Sequence, residues 1–185
     1  MKPLSLFTIS VFLLLSGFAC APLEPIRPIA NGFHHALPHD QAPLVVWGDH
    51  SSAVDTATTW LLKRGYRVVE QAKLNEVFRE QKITFTHTDE DTGRLLQVGK
   101  LLGANQVIFL DTDFLQHLAD DTYSNAYVGR ANSYALYDIG VSVRGIDIES
   151  EEIQWTGTAT YSGGISNPQE GLGHLTRSAL AKAWE

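Results

Sequence analysis

The sequence predicts an α/β domain: a mixed β-sheet with helices packed on it, in the order β-α-β-α-α-β-β-β-α. Three observations predict it. Through the first part of residues 44–185, short apolar runs alternate with segments of helical period, the pattern of βαβ units. From Ala135 the apolar residues recur every second position, the period of a half-buried strand. From Pro168 the helical spacing returns.

Each element has its own reason. "LVVWGD" (44–49) is a short apolar strand. Ser51 or Ser52 suits the cap of a helix in which Val54, Ala57 and Leu61 share a face, and Gly65 ends it. "YRVVE" (66–70) reads as a second strand. Residues 72–81 form a helix with Leu74, Val77 and Phe78 on one side. Asp91 can cap the next helix, where Leu95, Val98 and Leu102 form the stripe. Gly99 inside it costs about 1 kcal/mol relative to Ala, so close packing is its expected reason. Gly103 closes that helix, and "QVIFLD" (106–111) is a buried strand.

In the second half, Ala135, Tyr137, Ile139, Val141 and Val143 alternate with Leu136, Asp138, Gly140, Ser142 and Arg144. After Gly145 the apolar residues change sides, to Ile146 and Ile148. A glycine at a parity change predicts a bulge or bend. Ile153, Trp155, Gly157, Ala159 and Tyr161 then alternate on a partner strand, joined to the first by Glu149–Glu152. The final helix places Leu172, Leu175, Ala179 and Lys182 or Ala183 on one face. A βαβ start is parallel and right-handed, and the closing hairpin is antiparallel.

The first nineteen residues are of a different kind. Lys2 is their only charge, and an apolar stretch from Leu4 to Leu15 leads to Ser16, Gly17 and Ala19. That is the pattern of a secretory signal peptide, too short for a confident membrane span. Cys20, the single cysteine, follows directly. It cannot form an internal disulfide. The segment resembles the lipobox of bacterial lipoproteins, whose cysteine becomes the acylated first residue, palmitate being one of its fatty acids. Gly17 and Phe18 depart from that pattern, and Ala19-Cys20-Ala21 also fits A-x-A cleavage. Five of the seven prolines fall in residues 22–43, so 20–43 reads as a lipidated cysteine and a stiff tether reaching up to about 70 Å. His34, His35 and His39 lie in it at spacings that match no closed zinc site.

Without Lys2, 13 basic residues face 21 acidic ones, a formal charge of −8. No basic stripe appears, which argues against nucleic acid as a partner. Asp49, His50 and Ser51 are triad residue types, but adjacent residues point apart and cannot line up as orienter, base and nucleophile. Asp89, Glu90 and Asp91 read as a solvated loop and helix cap rather than a cation site. Asp111 and Asp113 share a strand face and could serve a small-ligand or cation site or an enzyme; strand-end solvation is the plainer reading. No cofactor motif is present. Residues 119–134, "ADDTYSNAYVGRANSY", join two strands and exceed a tight turn. Tyr123, Tyr127, Arg130 and Tyr134 in it are residue types favoured at binding hot spots.

The runs "KLNEVFREQ", "LLQVGKLLGANQVIFLD" and "YDIGVSVRGIDIESEEIQWTGTATYSGG" resemble the CsgG family of curli-secretion lipoproteins. They are also similar to the LpoB-like lipoproteins that activate a penicillin-binding protein, a peptidoglycan synthase. The resemblance implies an anticodon-binding-like α/β domain without catalytic residues. It implies a periplasmic lipoprotein on the outer membrane, held by an acylated Cys20 and acting through a protein partner or self-association. Two departures stand out. The family's turn after the Asp carries a Gly where this chain has Glu149-Ser150-Glu151-Glu152. The second membrane hairpin of the curli channel has only "SGGISNPQEG" in its place. Two spanning strands need about 9–11 residues each, so that hairpin is absent from this reading.

Overall fold

The computed structural model describes residues 26–35, 42–83, 89–120 and 133–185. They form the predicted α/β fold with a mixed sheet. Nine elements follow in order: β1 (Ile29–His34), β2 (Leu44–Gly48), α1 (Ser51–Lys63), α2 (Gln71–Glu80), α3 (Asp89–Leu101), β3 (Gln106–Asp120), β4 (Ser133–Asp147), β5 (Ile153–Gly164) and α4 (Pro168–Trp184). The sheet order is β1-β5-β4-β3-β2. β2 runs parallel to β3, and every other pairing is antiparallel.

Strand parity sends side chains to two cores. On one face, Leu44, Val46, Ile108, Leu110, Ile139, Val141, Val143, Trp155 and Ala159 meet α1 and α4. On the other, Val45, Val107, Phe109, Ile146 and Ile148 meet Leu74 and Phe78 of α2 and Leu95, Leu96 and Val98 of α3. Each fully buried Leu or Ile stabilises the fold by roughly 1.5–3 kcal/mol. The expected bulge lies where Gly145 opposes Trp155 and Ile146 opposes Ile153, so Gln154 is the extra residue. β4 itself keeps an unbroken ladder with β3, so Ile146, the residue after Gly145, faces the second core by ordinary alternation. The bulge turns Ile153 away from Trp155, and Ile153 is exposed rather than buried with it as the alternation predicts.

Glycines set the closest approaches. At Gly145 a Cβ would stand 2.0 Å from Cε2 of Trp155, so only glycine lets the indole lie on that strand. Trp155 is fully buried, and its Nε1 donates to Oε1 of Gln106 at 3.0 Å. Its ring meets Trp184, which meets Trp60 and donates to the Tyr66 hydroxyl. Gly99 has the predicted reason: a Cβ there would stand 2.7 Å from Cδ1 of Ile148. Gly65 and Gly103 close their helices with φ of 85° and 69°.

Several local expectations are corrected. Residues 66–70 form no strand; Val68 makes one parallel bridge to Leu44, flanked by two backbone hydrogen bonds. The α1 cap position is His50, without a side-chain bond, and Ser51 is already helical. α3 begins at Asp89, so Asp91 lies in its first turn, buried and 3.8 Å from Arg94, instead of capping it. α4 has a side-chain cap: Asn167 Oδ1 accepts from the amides of Gln169 and Glu170.

The largest difference lies in the stretch read as tether. Residues 29–34 are a sheet strand, paired with β5 from Ile29↔Thr160 to His34↔Trp155. Gly32 opposes Gly157, and α4 lies directly on both. A Cβ at Gly32 would stand 2.2 Å from the Lys182 carbonyl oxygen, and one at Gly157 2.1 Å from that of Ala179. Small residues here admit the helix backbone, which removes the apolar period that marks a strand.

Candidate protein-contact face

The helices leave part of the sheet bare. On the side of Val107 and Phe109, α2 and α3 cover only the end near the β4–β5 turn. Parity places Asp111, Asp113 and Leu115 of β3, Asp138, Gly140, Ser142 and Arg144 of β4, and Thr156, Thr158, Thr160 and Ser162 of β5 on this face. Ile29, Asn31 and Phe33 of β1 complete it. Among the described residues no helix packs over them. Ile29, Phe33 and Leu115 are exposed by 72%, 62% and 54%, too much for side chains that merely edge a core. A groove of about 540 Å³ runs across the four strands, lined among others by Arg27, Asp113, Asp138 and Thr160.

The paired aspartates do share a face, as their spacing predicts. Asp111 Oδ2 accepts from Nη2 of Arg144 at 2.7 Å, a partner that spacing along one strand cannot reveal because it comes from β4. Its carboxylate thus has a counter-ion on an exposed surface. The Asp49-His50-Ser51 trio is pulled apart. Asp49 Oδ2 accepts from the amide and hydroxyl of Thr112, tying the turn after β2 to β3. Among the described residues no group of three or more His, Cys, Asp and Glu stands close enough to hold a metal ion. His34 and His35 are exposed.

Cys20, His39, Tyr123, Tyr127 and Arg130 lie outside the described residues. Tyr134 is placed by its backbone alone, opposite Ala119 in the β3–β4 ladder. That ladder continues without interruption from Gln106↔Asp147 to Asp120↔Ser133, so the tyrosine-bearing segment joins the ends of two long strands. β3 reaches nine residues beyond the end expected for it. Among the described residues no helix is long and apolar enough to cross a membrane.

Comparison with known proteins places the fold. No family model and no curated protein matches the sequence. Solved structures do. The PelC dodecamer from Paraburkholderia phytofirmans is 14% identical, with a TM-score of 0.51 over 85% of this chain and 97% of that one. Lipoprotein GNA1162 from Neisseria meningitidis is 19% identical, with a TM-score of 0.50 over 76% and 95%. The LpoB C-terminal domain from Salmonella enterica is 12% identical, with a TM-score of 0.44 over 65% and 82%. At such identities the likeness is one of architecture, and the chain shares the fold of PelC and of a bacterial lipoprotein.

Proposed function

We propose that this chain is a non-enzymatic envelope lipoprotein that acts through protein contacts in cell-envelope assembly or secretion. Cys20 is its acylated anchor, and the domain stands on the periplasmic face of the outer membrane. The observation that carries the reading is the bare sheet face. It presents large apolar residues to solvent, while Asp111, its best candidate for chemistry, is neutralised by Arg144. An exposed apolar patch rimmed by polar residues is a mark of an interaction surface. The fold shared with lipoprotein GNA1162 supports the anchor, and the dodecameric state of PelC supports self-association as one form of contact. The CsgG-like sequence pattern supports the same envelope role.

Cysteine replacement tests the anchor. Wild-type protein partitions into detergent and takes up labelled fatty acid, whereas Cys20→Ser is recovered folded in the soluble periplasm. Attachment by several acyl chains is stable in a way that one chain is not. Unchanged membrane attachment of Cys20→Ser refutes the anchor. Photo-crosslinkers at Thr158 and Thr160 test the contact. Protein adducts are expected; their absence at both positions counts against this face. Adducts with a peptidoglycan synthase alone would establish the LpoB-like role instead.

A further inference from the structure

We propose that the domain assembles head to tail by edge pairing: the outer edge of β1 in one copy adds antiparallel to the free edge of β3 in the next. This rests on the contact-protein reading and names the partner as a second copy of the chain.

Among the described residues, the sheet's open stretches include the outer edge of β1 and the far half of β3. β1 pairs only with β5 among the described strands. β2 covers β3 no further than Leu110, whereas β3 continues to Asp120. From Phe114 onward the outer edge of β3 meets no described strand. Long open edges are liabilities unless covered.

Backbone phase on the two edges matches. The Thr112 amide bonds Asp49, so Thr112 points away from β4. By the two-residue period Phe114, Gln116 and Leu118 point the same way. On β1, the His35 amide bonds the Gln154 carbonyl, which turns odd-numbered residues toward β5. Ala30, Gly32 and His34 therefore point outward. Three outward residues face three at the same spacing. Direction matches as well. β1 is antiparallel to β5, β5 to β4 and β4 to β3. A second copy continuing the sheet thus presents β1 antiparallel to β3.

Side-chain phase limits the register to even shifts, and pairing Phe33 with Leu115 selects one of them. With Gly32 opposite Gln116, Phe33 stands opposite Leu115, and both belong to the bare face. They form a non-hydrogen-bonded pair, the kind in which side chains come closest. The two exposed apolar residues cover each other. A slip of one residue would put Phe33 opposite the other face of β3 and lose the pair.

Within one copy the pairings set Gly32 level with Leu110, through Gly157 and Val143. In the assembly Gly32 meets Gln116, so each copy is displaced along the strands by six residues, about 20 Å. The contact joins two different surfaces, so repetition gives a ring or a filament rather than a closed dimer.

Disulfide trapping tests this in the full chain carrying Cys20→Ser. Phe33→Cys and Leu115→Cys are made singly and together. The proposal requires that each single variant form no disulfide-linked dimer under mild oxidation. An equimolar mixture must give a dimer, and the double variant a ladder of multimers. Gln116→Pro removes one outward amide and no β3–β4 hydrogen bond. It should leave the melting temperature within a few degrees and reduce the ladder at least tenfold. Dimers of Phe33→Cys alone, no dimer in the mixture, or a ladder that survives the proline each overturn the edge pairing. If Cys20→Ser releases the protein but no mixed dimer forms, the lipoprotein reading stands and only the edge pairing fails.

Discussion

Replacing Trp155 with phenylalanine probes the centre of the first core. The indole is fully buried on Gly145, packs against Trp184, and donates to Gln106, itself 5% exposed. Phenylalanine keeps one ring, but the space of the second ring empties and Oε1 of Gln106 loses its donor. An unsatisfied buried acceptor costs about 1–3 kcal/mol, and the partial cavity adds about 1 kcal/mol more. The expected loss is about 3 kcal/mol, against a total stability of the order of 10 kcal/mol for a domain of this size. Adding Gln106→Leu removes the orphaned acceptor and should restore about 1 kcal/mol, so the two changes are non-additive. Urea titrations followed by far-UV circular dichroism measure both without relying on tryptophan emission. A loss below about 0.5 kcal/mol for Trp155→Phe refutes the packing argument, since a cavity and an unsatisfied buried acceptor should together cost more. Additivity of the two substitutions refutes the role given to the hydrogen bond.

Gly157→Val forces a side chain into the space 2.1 Å from the Ala179 carbonyl oxygen and should lower stability by more than about 3 kcal/mol, read as a drop in melting temperature. Glu151 sits at φ 59° in the β4–β5 turn, a left-handed conformation that glycine adopts without strain, so Glu151→Gly should be neutral or stabilising by up to about 1 kcal/mol in the same assay. A loss above 1 kcal/mol there would show that the turn depends on its side chain.

Much of the fold was written in apolar period. Gly145 marked the place opposite which β5 bulges, and Gly99 announced the approach of Ile148, because both glycines interrupt a regular pattern. β1 was hidden because its core-facing residues are Ala30 and Gly32, small to admit the backbone of α4. That helix lies about 150 residues away in sequence, and no local rule anticipates it. The outer half of β3 was hidden for a related reason: "DTDFLQ" borders no helix on its bare face, so nothing demands alternation there. The Asp111–Arg144 pair needs the β3–β4 register, which spacing along one strand does not contain. The turn at 147–152 shows the converse. Asp147 Oδ1 accepts from the amides of Glu149 and Ser150, so a side chain organises what glycine organises elsewhere.

The strand at 29–34 shortens the leash. An anchor at Cys20 leaves eight residues before Ile29, which span at most about 30 Å when fully extended. A 23-residue tether would have let the domain wander over a hemisphere of more than twice that radius. With Cys20 acylated as proposed, a domain held at β1 would work close to its own membrane, with the start of that strand turned toward the lipid. A partner fixed farther away would have to reach inward to meet it, and neighbouring copies confined to one thin layer would find each other readily.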